Sequence, residues 1–487
     1  MNMNRTVATV TISILLCLPA GLAPAAVAQQ TKSADARVAE VDSYLRAQMR
    51  AGRIPGLQIA VVRRGRIALL RHYGVANLQT PVPVTDATLF SINSITKAFT
   101  GIAAMELVRA GRLDLGAPMS AYLEGLPQAW RAVTIRQLLT HMSGIPDINN
   151  APGAKGDEAS EATIWEWVEA QPMNFAPGER FDYCQTKYTL LQKVINKLNH
   201  RDAEAPLAGA QIQAAAMTSI RYGDSTEVIP NAAAGYHYSY DKPGDIGVIH
   251  PVYEVFRSFV RASAGLLSTA QDMARWMIAI QHERILDAAS LKTLWTPATF
   301  NDGRQGEWGL GWEVLGTPDH LRVGMTGGGR SAFFLYPKDD FGIVILTNLA
   351  GANPEDIMDR IATIYDVPLS GFPALRAELQ RQDFRDGPAL IAEMLKKDPT
   401  LALSEAELND WGYRLLGGQP REALEVLKIV PILYPRSGNA YDSLGEAYAA
   451  NEDKASAIAN YRKSLELDPK NTNALQRLEQ LGWKPTP

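Results

Sequence analysis

Two β-rich blocks at opposite ends of a long stretch set the strongest limit on the fold. "GLQIAVVRRGRIALLRHYGVAN", Gly56 to Asn77, has two apolar, β-branched runs around "RRGR" and reads as a hairpin. "LRVGMTGGGRSAFFLYPKDDFGIVILTN", Leu321 to Asn348, holds three more such runs, divided by a glycine cluster and by "PKDD". Helical patterns and long loops fill the interval. Strands at both ends with helices between them predict one α/β domain whose sheet is completed by segments distant in sequence. That domain should end near Leu369.

Beyond it the pattern is helical and an internal repeat emerges. In "YDSLGEAYAANEDKASAIANYRKSLELDPK", Tyr441, Leu444, Gly445, Tyr448, Ala457, Tyr461 and Pro469 fall where a 34-residue tetratricopeptide unit places them. One frame earlier Ala423, Leu427 and Pro435 repeat the second half of the pattern, while Trp411 stands where glycine is usual. Leu475 and Leu478 would open a closing helix. Residues 372–487 thus resemble a short tetratricopeptide array, an all-α segment that offers either a surface for a protein partner or a cap for the first domain. The length of 487 residues suggests roughly two or three domains, and 46% hydrophobic with 21% charged residues fits folded, globular protein. A net charge of -4 with no run of lysine and arginine gives no support to nucleic-acid binding.

The first residues have a grammar of their own. "MNMNR" is followed by the apolar "TVATVTISILLCLPAGLAPAAVA" and a small-x-small end, Ala26, Val27, Ala28. This matches a signal peptide over residues 1–28, cleaved near Ala28, with export to a periplasm or beyond. Pro19 and Pro24 leave the uninterrupted apolar part short for a stable membrane anchor. Cleavage would leave Cys184 as the single cysteine and exclude an intramolecular disulfide.

Chemistry is suggested first by "FSINSITKAFTG", where Ser94 and Lys97 share one face of a nascent helix. The pair alone is weak, since Ser239 and Lys242 show the same spacing in "YHYSYDKPG". A serine hydroxyl needs a base and an oxyanion site before it is a useful nucleophile. Tyr183 in "PGERFDYCQ" could be that base if a nearby ammonium lowered its pKa. Gly327, Gly328 and Gly329 at a strand edge would let backbone amides come close to a substrate.

Together "SITK", "LLTHMSGIPD", "PGERFDYCQ", "SAGLLSTAQDMARW", "GLGWEV" and "GMTGGGRSAFFLYP", in this order, resemble the class C β-lactamase and related serine hydrolase family, which includes esterases and D-amino-acid peptidases. The resemblance covers residues 35–369. It implies a β-lactamase-like domain with a mainly antiparallel sheet flanked by helices. It further implies Ser94 as nucleophile, Lys97 as its proton acceptor and Tyr183 as general base and acid. Met325, Thr326 and Gly327 match the substrate-binding strand, and the amides of Ser94 and Gly328 the oxyanion hole. Gln185 stands where the family has asparagine, and Met325 where lysine or histidine is usual. A thioether supplies neither charge nor a donor. His141 is expected to orient a loop near the site, and Arg330 to be an exposed arginine. The expectation is an exported serine hydrolase without metal or organic cofactor, acting on a small ester, amide or peptide and more esterase- or peptidase-like than an efficient β-lactamase. A non-catalytic binding protein that keeps the hydrolase fold is the alternative.

Overall fold

Between Gly56–Arg63 (β1) and Arg66–Asn77 (β2) the chain turns at Arg64 and Gly65, both left-handed, with φ of 51° and 67°. Two consecutive left-handed residues are what a tight two-residue hairpin requires, because that turn matches the right-handed twist of the strands. The other edge of β1 accepts the distant block. In this computed structural model, which describes residues 33–154, 156, 158–202, 207–239 and 247–483, the C-terminal block supplies most of the sheet. The expected leader at 1–28 and Lys242 lie outside the described residues.

With Val82–Pro83 as β3, Glu313–Leu315 as β4, Arg322–Gly327 as β5, Ser331–Tyr336 as β6 and Phe341–Thr347 as β7, the sheet runs β3-β2-β1-β7-β6-β5-β4. Every neighbouring pair is antiparallel, and β1 meets β7 in register from Leu57↔Thr347 to Arg63↔Phe341. The expected sheet, built from both ends of the domain, is the one observed.

Both faces of β1 and β7 are covered, which is why they are apolar throughout instead of alternating. Leu57, Ile59, Val61, Ile343 and Ile345 face one layer, against Val41 and Leu45 of the helix Ala34–Ala51 and Ile357 and Ile361 of the helix Glu355–Ile364. Ala60, Val62, Val344 and Leu346 face the larger layer, with Met273, Trp276 and Met277 of the helix Ala270–Gln281. That layer also takes in the helix Thr96–Arg109, which is buried on all sides from Thr96 to Met105. Phe99 stacks on Trp276 with ring centroids 3.9 Å apart, which locks the Thr96–Arg109 helix to the one beneath the sheet. Truncating such a buried aromatic costs about 3–5 kcal/mol.

From Gly371 onward only helices follow among the described residues, around two further cores. Gly438–Ala450 and Lys454–Leu467 pack as a pair, closely enough that a Cβ on Gly445 would lie 2.8 Å from the Tyr461 ring. One pair earlier the equivalent close approach is made by Gly412, whose Cβ would meet Leu427 at 2.6 Å. The small residue expected at 411 is thus displaced by one position, and Trp411 fills the core beside it.

A buried charge network joins the helical region to the sheet domain. Asp359, wholly buried on the helix Glu355–Ile364, accepts from Arg322 of β5 at 2.7 Å and from Arg376 of the helix Gly371–Arg381 at 2.7 and 2.6 Å. Asp356, one turn earlier, accepts from Arg376 and, at 2.8 and 2.9 Å, from Arg414.

Candidate active site

Ser94 lies in a short 3-10 turn, Asn93–Ile95, that runs into the helix Thr96–Arg109. Asn93 just before it is left-handed at φ 47° and buried, a conformation that costs a non-glycine residue about 1–2 kcal/mol. The strain sits where the turn is pressed against β5. A Cβ on Gly327 would come within 2.2 Å of the Ile92 carbonyl oxygen, and one on Gly328, at φ 58°, within 3.1 Å of the Asn93 side chain. Ser331 Oγ ties the same junction by donating to the Ser91 carbonyl at 3.0 Å. Glycine is required here because the strand backbone must touch the turn that carries Ser94. Gly327 and Gly328 are thereby held against the two residues that precede Ser94.

Lys97 has no exposed surface. Its Nζ donates to Gln185 Oε1 at 2.7 Å and to the Ser263 carbonyl at 2.9 Å, and lies 3.3 Å from Ser94 Oγ. The ammonium has been taken out of water without an ion pair, so burial lowers its pKa to about 7, against the opposing pull of Asp147 and Cys184. A neutral amine here would keep two N–H donors for Gln185 and Ser263. Its lone pair would then face the serine hydroxyl.

Tyr183 does not match the expectation of a lowered pKa. Its hydroxyl is buried and completes no hydrogen bond, and desolvation raises its pKa well above that of an ordinary phenol, although Ser94 and Gln185 lie close enough to pull the other way. The physical reason is geometric. Lys97 Nζ sits over the ring, 4.6 Å from its centroid, and makes no hydrogen bond to the hydroxyl that could stabilise a phenolate. The ring is clamped by His141, stacked at 4.4 Å, and by the edge of Trp308 at 5.8 Å.

Gln185 opens the helix Gln185–Leu198, and its own amide donates to Asp147 Oδ1 at 3.3 Å. With Oε1 engaged by Lys97, only its Nε2 end is left to donate to a substrate. Met325 is buried among the core residues of the larger layer. Both donors of Thr326 are taken, since its N–H and its hydroxyl donate to Glu313 Oε1 at 3.1 and 3.0 Å. His141 is buried and left-handed. Its Nδ1 accepts from the Cys184 amide at 3.2 Å, and burial, with Lys187 and Lys97 nearby, holds its pKa well below the usual range. It is therefore a neutral spacer under Tyr183. Arg330 is not the exposed residue expected: it is 5% exposed and ion-paired with Glu254 at 3.2 Å.

Asp147, Ser263, Lys187 and Glu313 also belong to the site and were not singled out from the sequence. Lys187 Nζ bridges the carbonyls of His141 and Asp182 and fixes the loop under Tyr183. The signal was present for Asp147, Ser263 and Glu313, which lie inside "LLTHMSGIPD", "SAGLLSTAQDMARW" and "GLGWEV".

Comparison with known proteins follows the same lines. A family model described as Beta-lactamase matches residues 41–365. Protein flp of Staphylococcus aureus (strain MRSA252) is 25% identical over 336 residues, which are 66% of this chain and 65% of that protein. The chain thus spans about two thirds of the length of the curated relatives it matches. The octameric penicillin-binding protein homologue from Pyrococcus abyssi superposes with a TM-score of 0.57 at 25% identity, covering 68% of this chain and 77% of that one. A class C beta-lactamase mutant superposes with a TM-score of 0.56 at 21% identity, covering 67% and 97%, a likeness of fold.

Proposed function

The chain belongs to the beta-lactamase family, a family of serine hydrolases, and from that premise we propose that it cleaves an ester or amide through an acyl-enzyme on Ser94. The observation that carries the reading is the buried Lys97 amine, with a pKa of about 7 and 3.3 Å from Ser94 Oγ. A base whose pKa lies near the working pH gives the best product of correct protonation and driving force.

In this reading the Ser94 proton passes to neutral Lys97 as Oγ attacks the carbonyl carbon. The amides of Ser94 and Gly328 receive the oxyanion. Tyr183, neutral because of its raised pKa, hands its hydroxyl proton to the leaving group, and a water molecule carries the proton of the Lys97 ammonium back to the phenolate, since the two side chains make no direct hydrogen bond. Water then attacks the ester of Ser94, again with Lys97 as base, and releases the acid. Tyr183 is thus a relay and acid, and Lys97 takes the role of resting base that the resemblance gave to the tyrosine.

Substrate choice follows from what surrounds the serine. Met325 replaces a cation, and Arg330 is committed to Glu254 on the far side of the glycine turn. We therefore favour short esters or amides without an anionic group over β-lactams, whose carboxylate would find no free partner. The leader grammar supports action outside the cytoplasm, and no described helix is long and apolar enough to cross a membrane. The helical region is offered as a tetratricopeptide-like support or partner surface.

The test is labelling with a fluorophosphonate and turnover of p-nitrophenyl butyrate, with Ser94→Ala as control. Labelling confined to Ser94 together with turnover supports the reading. A folded protein that neither labels nor turns over substrate would overturn it.

A further inference from the structure

The strand beside the nucleophile carries a carboxyl group at its free edge with no cation paired to it among the described residues. β4 ends at Glu313, which pairs with Gly324, while β5 runs on through Met325, Thr326 and Gly327 with no further strand on that side among the described residues. The free edge is taken by a side chain. Glu313 Oε1 accepts both the backbone N–H and the hydroxyl of Thr326, and the carboxylate makes no ion pair among the described residues. Its field reaches Tyr183, whose hydroxyl it helps keep protonated. The cations that could balance it are otherwise engaged. Lys97 is disfavoured as an ammonium, Lys187 is held by two carbonyls and Arg330 by Glu254. Arg322 reaches it only weakly, being committed to Asp359, so burial raises the Glu313 pKa and leaves a carboxyl group whose charge a bound cation would stabilise.

Building on the serine hydrolase reading, we propose that Glu313 is a specificity residue that recognises a protonated primary amine on the acyl group of the substrate. The class is an ester or amide of an amino acid, or a short peptide with a free amino terminus. Thr326 and Gly328 are two residues apart, about 7 Å of extended chain. That span matches a carbonyl oxygen on the Gly328 amide, one aminoacyl unit, and an ammonium donating to Glu313. An anionic acyl group placed there would meet the carboxylate head-on, and a neutral one would leave it unpaired. A charge-assisted contact made in the transition state is worth about ten- to a hundredfold in kcat/KM.

The experiment compares alanine p-nitrophenyl esters, in both enantiomers, with the amine free, N-acetylated and N-succinylated. Active sites are counted by fluorophosphonate titration of Ser94, so that a poorly folded variant is corrected for. Wild type should prefer the free amine over the N-acetyl ester by about ten- to a hundredfold, with the N-succinyl ester slowest. In Glu313→Gln the amine-to-acetyl ratio should fall to within about threefold of one, and Glu313→Asp should keep part of it. A wild-type ratio near or below one, or a ratio unchanged in Glu313→Gln, overturns the proposal while leaving the hydrolase reading in place. Absence of both labelling and turnover overturns the two together.

Discussion

Lys97 offers the sharpest test of the mechanism, because its protonation state can be set from outside. At pH 7.4 an ordinary lysine amine is neutral in roughly one molecule in a thousand. Held at about 7, the Lys97 amine is neutral in more than half. The difference corresponds to on the order of 5 kcal/mol against the ammonium, reasonable for a side chain with no exposed surface and no carboxylate within hydrogen-bonding distance. If neutral Lys97 is the base, kcat/KM for an uncharged ester should rise about tenfold per pH unit below the inflection and level off above it, near pH 7. Initial rates of p-nitrophenyl butyrate hydrolysis between pH 5 and 9, read at the isosbestic wavelength of the product, measure this. Asp147→Asn removes the main group that raises the Lys97 pKa, so the limb should move to lower pH. A profile flat down to pH 5, or one that rises through pH 9 as a phenolate forms, would refute Lys97 as the base. So would a limb unmoved in Asp147→Asn.

Four further outcomes are expected. Tyr183→Phe should slow acylation by about two to four orders of magnitude in single-turnover kinetics, with the pH limb in place, since the inflection belongs to Lys97. Met325→Lys should raise the rate of N-succinyl ester hydrolysis relative to the neutral ester, because it returns a cation to β5; an unchanged ratio under direct competition would speak against that role. Gly327→Ala should abolish labelling of Ser94 in a chain that still shows helical circular dichroism, as its Cβ would sit 2.2 Å from the Ile92 carbonyl. Cutting the chain after Ser370 removes Arg376 and Arg414 from Asp356 and Asp359, a loss of about 3–5 kcal/mol for a broken buried pair; Tm should drop clearly while some labelling of Ser94 survives, since Ser94, Lys97 and Tyr183 all precede the cut.

Much of the fold was legible because its signals are local. The apolar runs of β1 and β7 announce strands covered on both faces, and the hairpin is written in Arg64 and Gly65. The register that joins Leu57 to Thr347 was not legible, since pairing of distant strands depends on the packed layers and not on any neighbouring residue. At the site, residue identities were visible and their charge states were not. Tyr183 was expected to be acidified by a nearby ammonium, yet the same burial that brings Lys97 to Tyr183 also discourages that ammonium. Arg330 read as exposed because nothing in its neighbourhood in sequence reveals that Glu254 covers it. Glu313 passed unnoticed within "GLGWEV" because its importance arises only when β4 stops short and β5 continues.

The helical region bears on the site through that same strand. β5 begins at Arg322, whose guanidinium is shared with Asp359, and Asp359 is held in turn by Arg376 from beyond the sheet domain. A buried network of this kind is weak evidence for net stability, because desolvation offsets most of its attraction. Its geometric consequence is firmer, since Asp359 Oδ2 takes both Nε and Nη2 of Arg376 and so holds the carboxylate whose Oδ1 accepts from Arg322. Five residues along β5 from Arg322, Gly327 touches the Ile92 carbonyl with no room for a Cβ, and the mechanism proposed above has the Gly328 amide receive the oxyanion. Catalytic placement of that kind tolerates displacements of about half an ångström. In the proposed mechanism an anchor at the head of the strand, set from the helical region, would act on catalysis through position and not through chemistry. Arg376→Met, which removes the shared partner while keeping the bulk of the side chain, should on that reasoning lower kcat on an uncharged ester more than it raises KM.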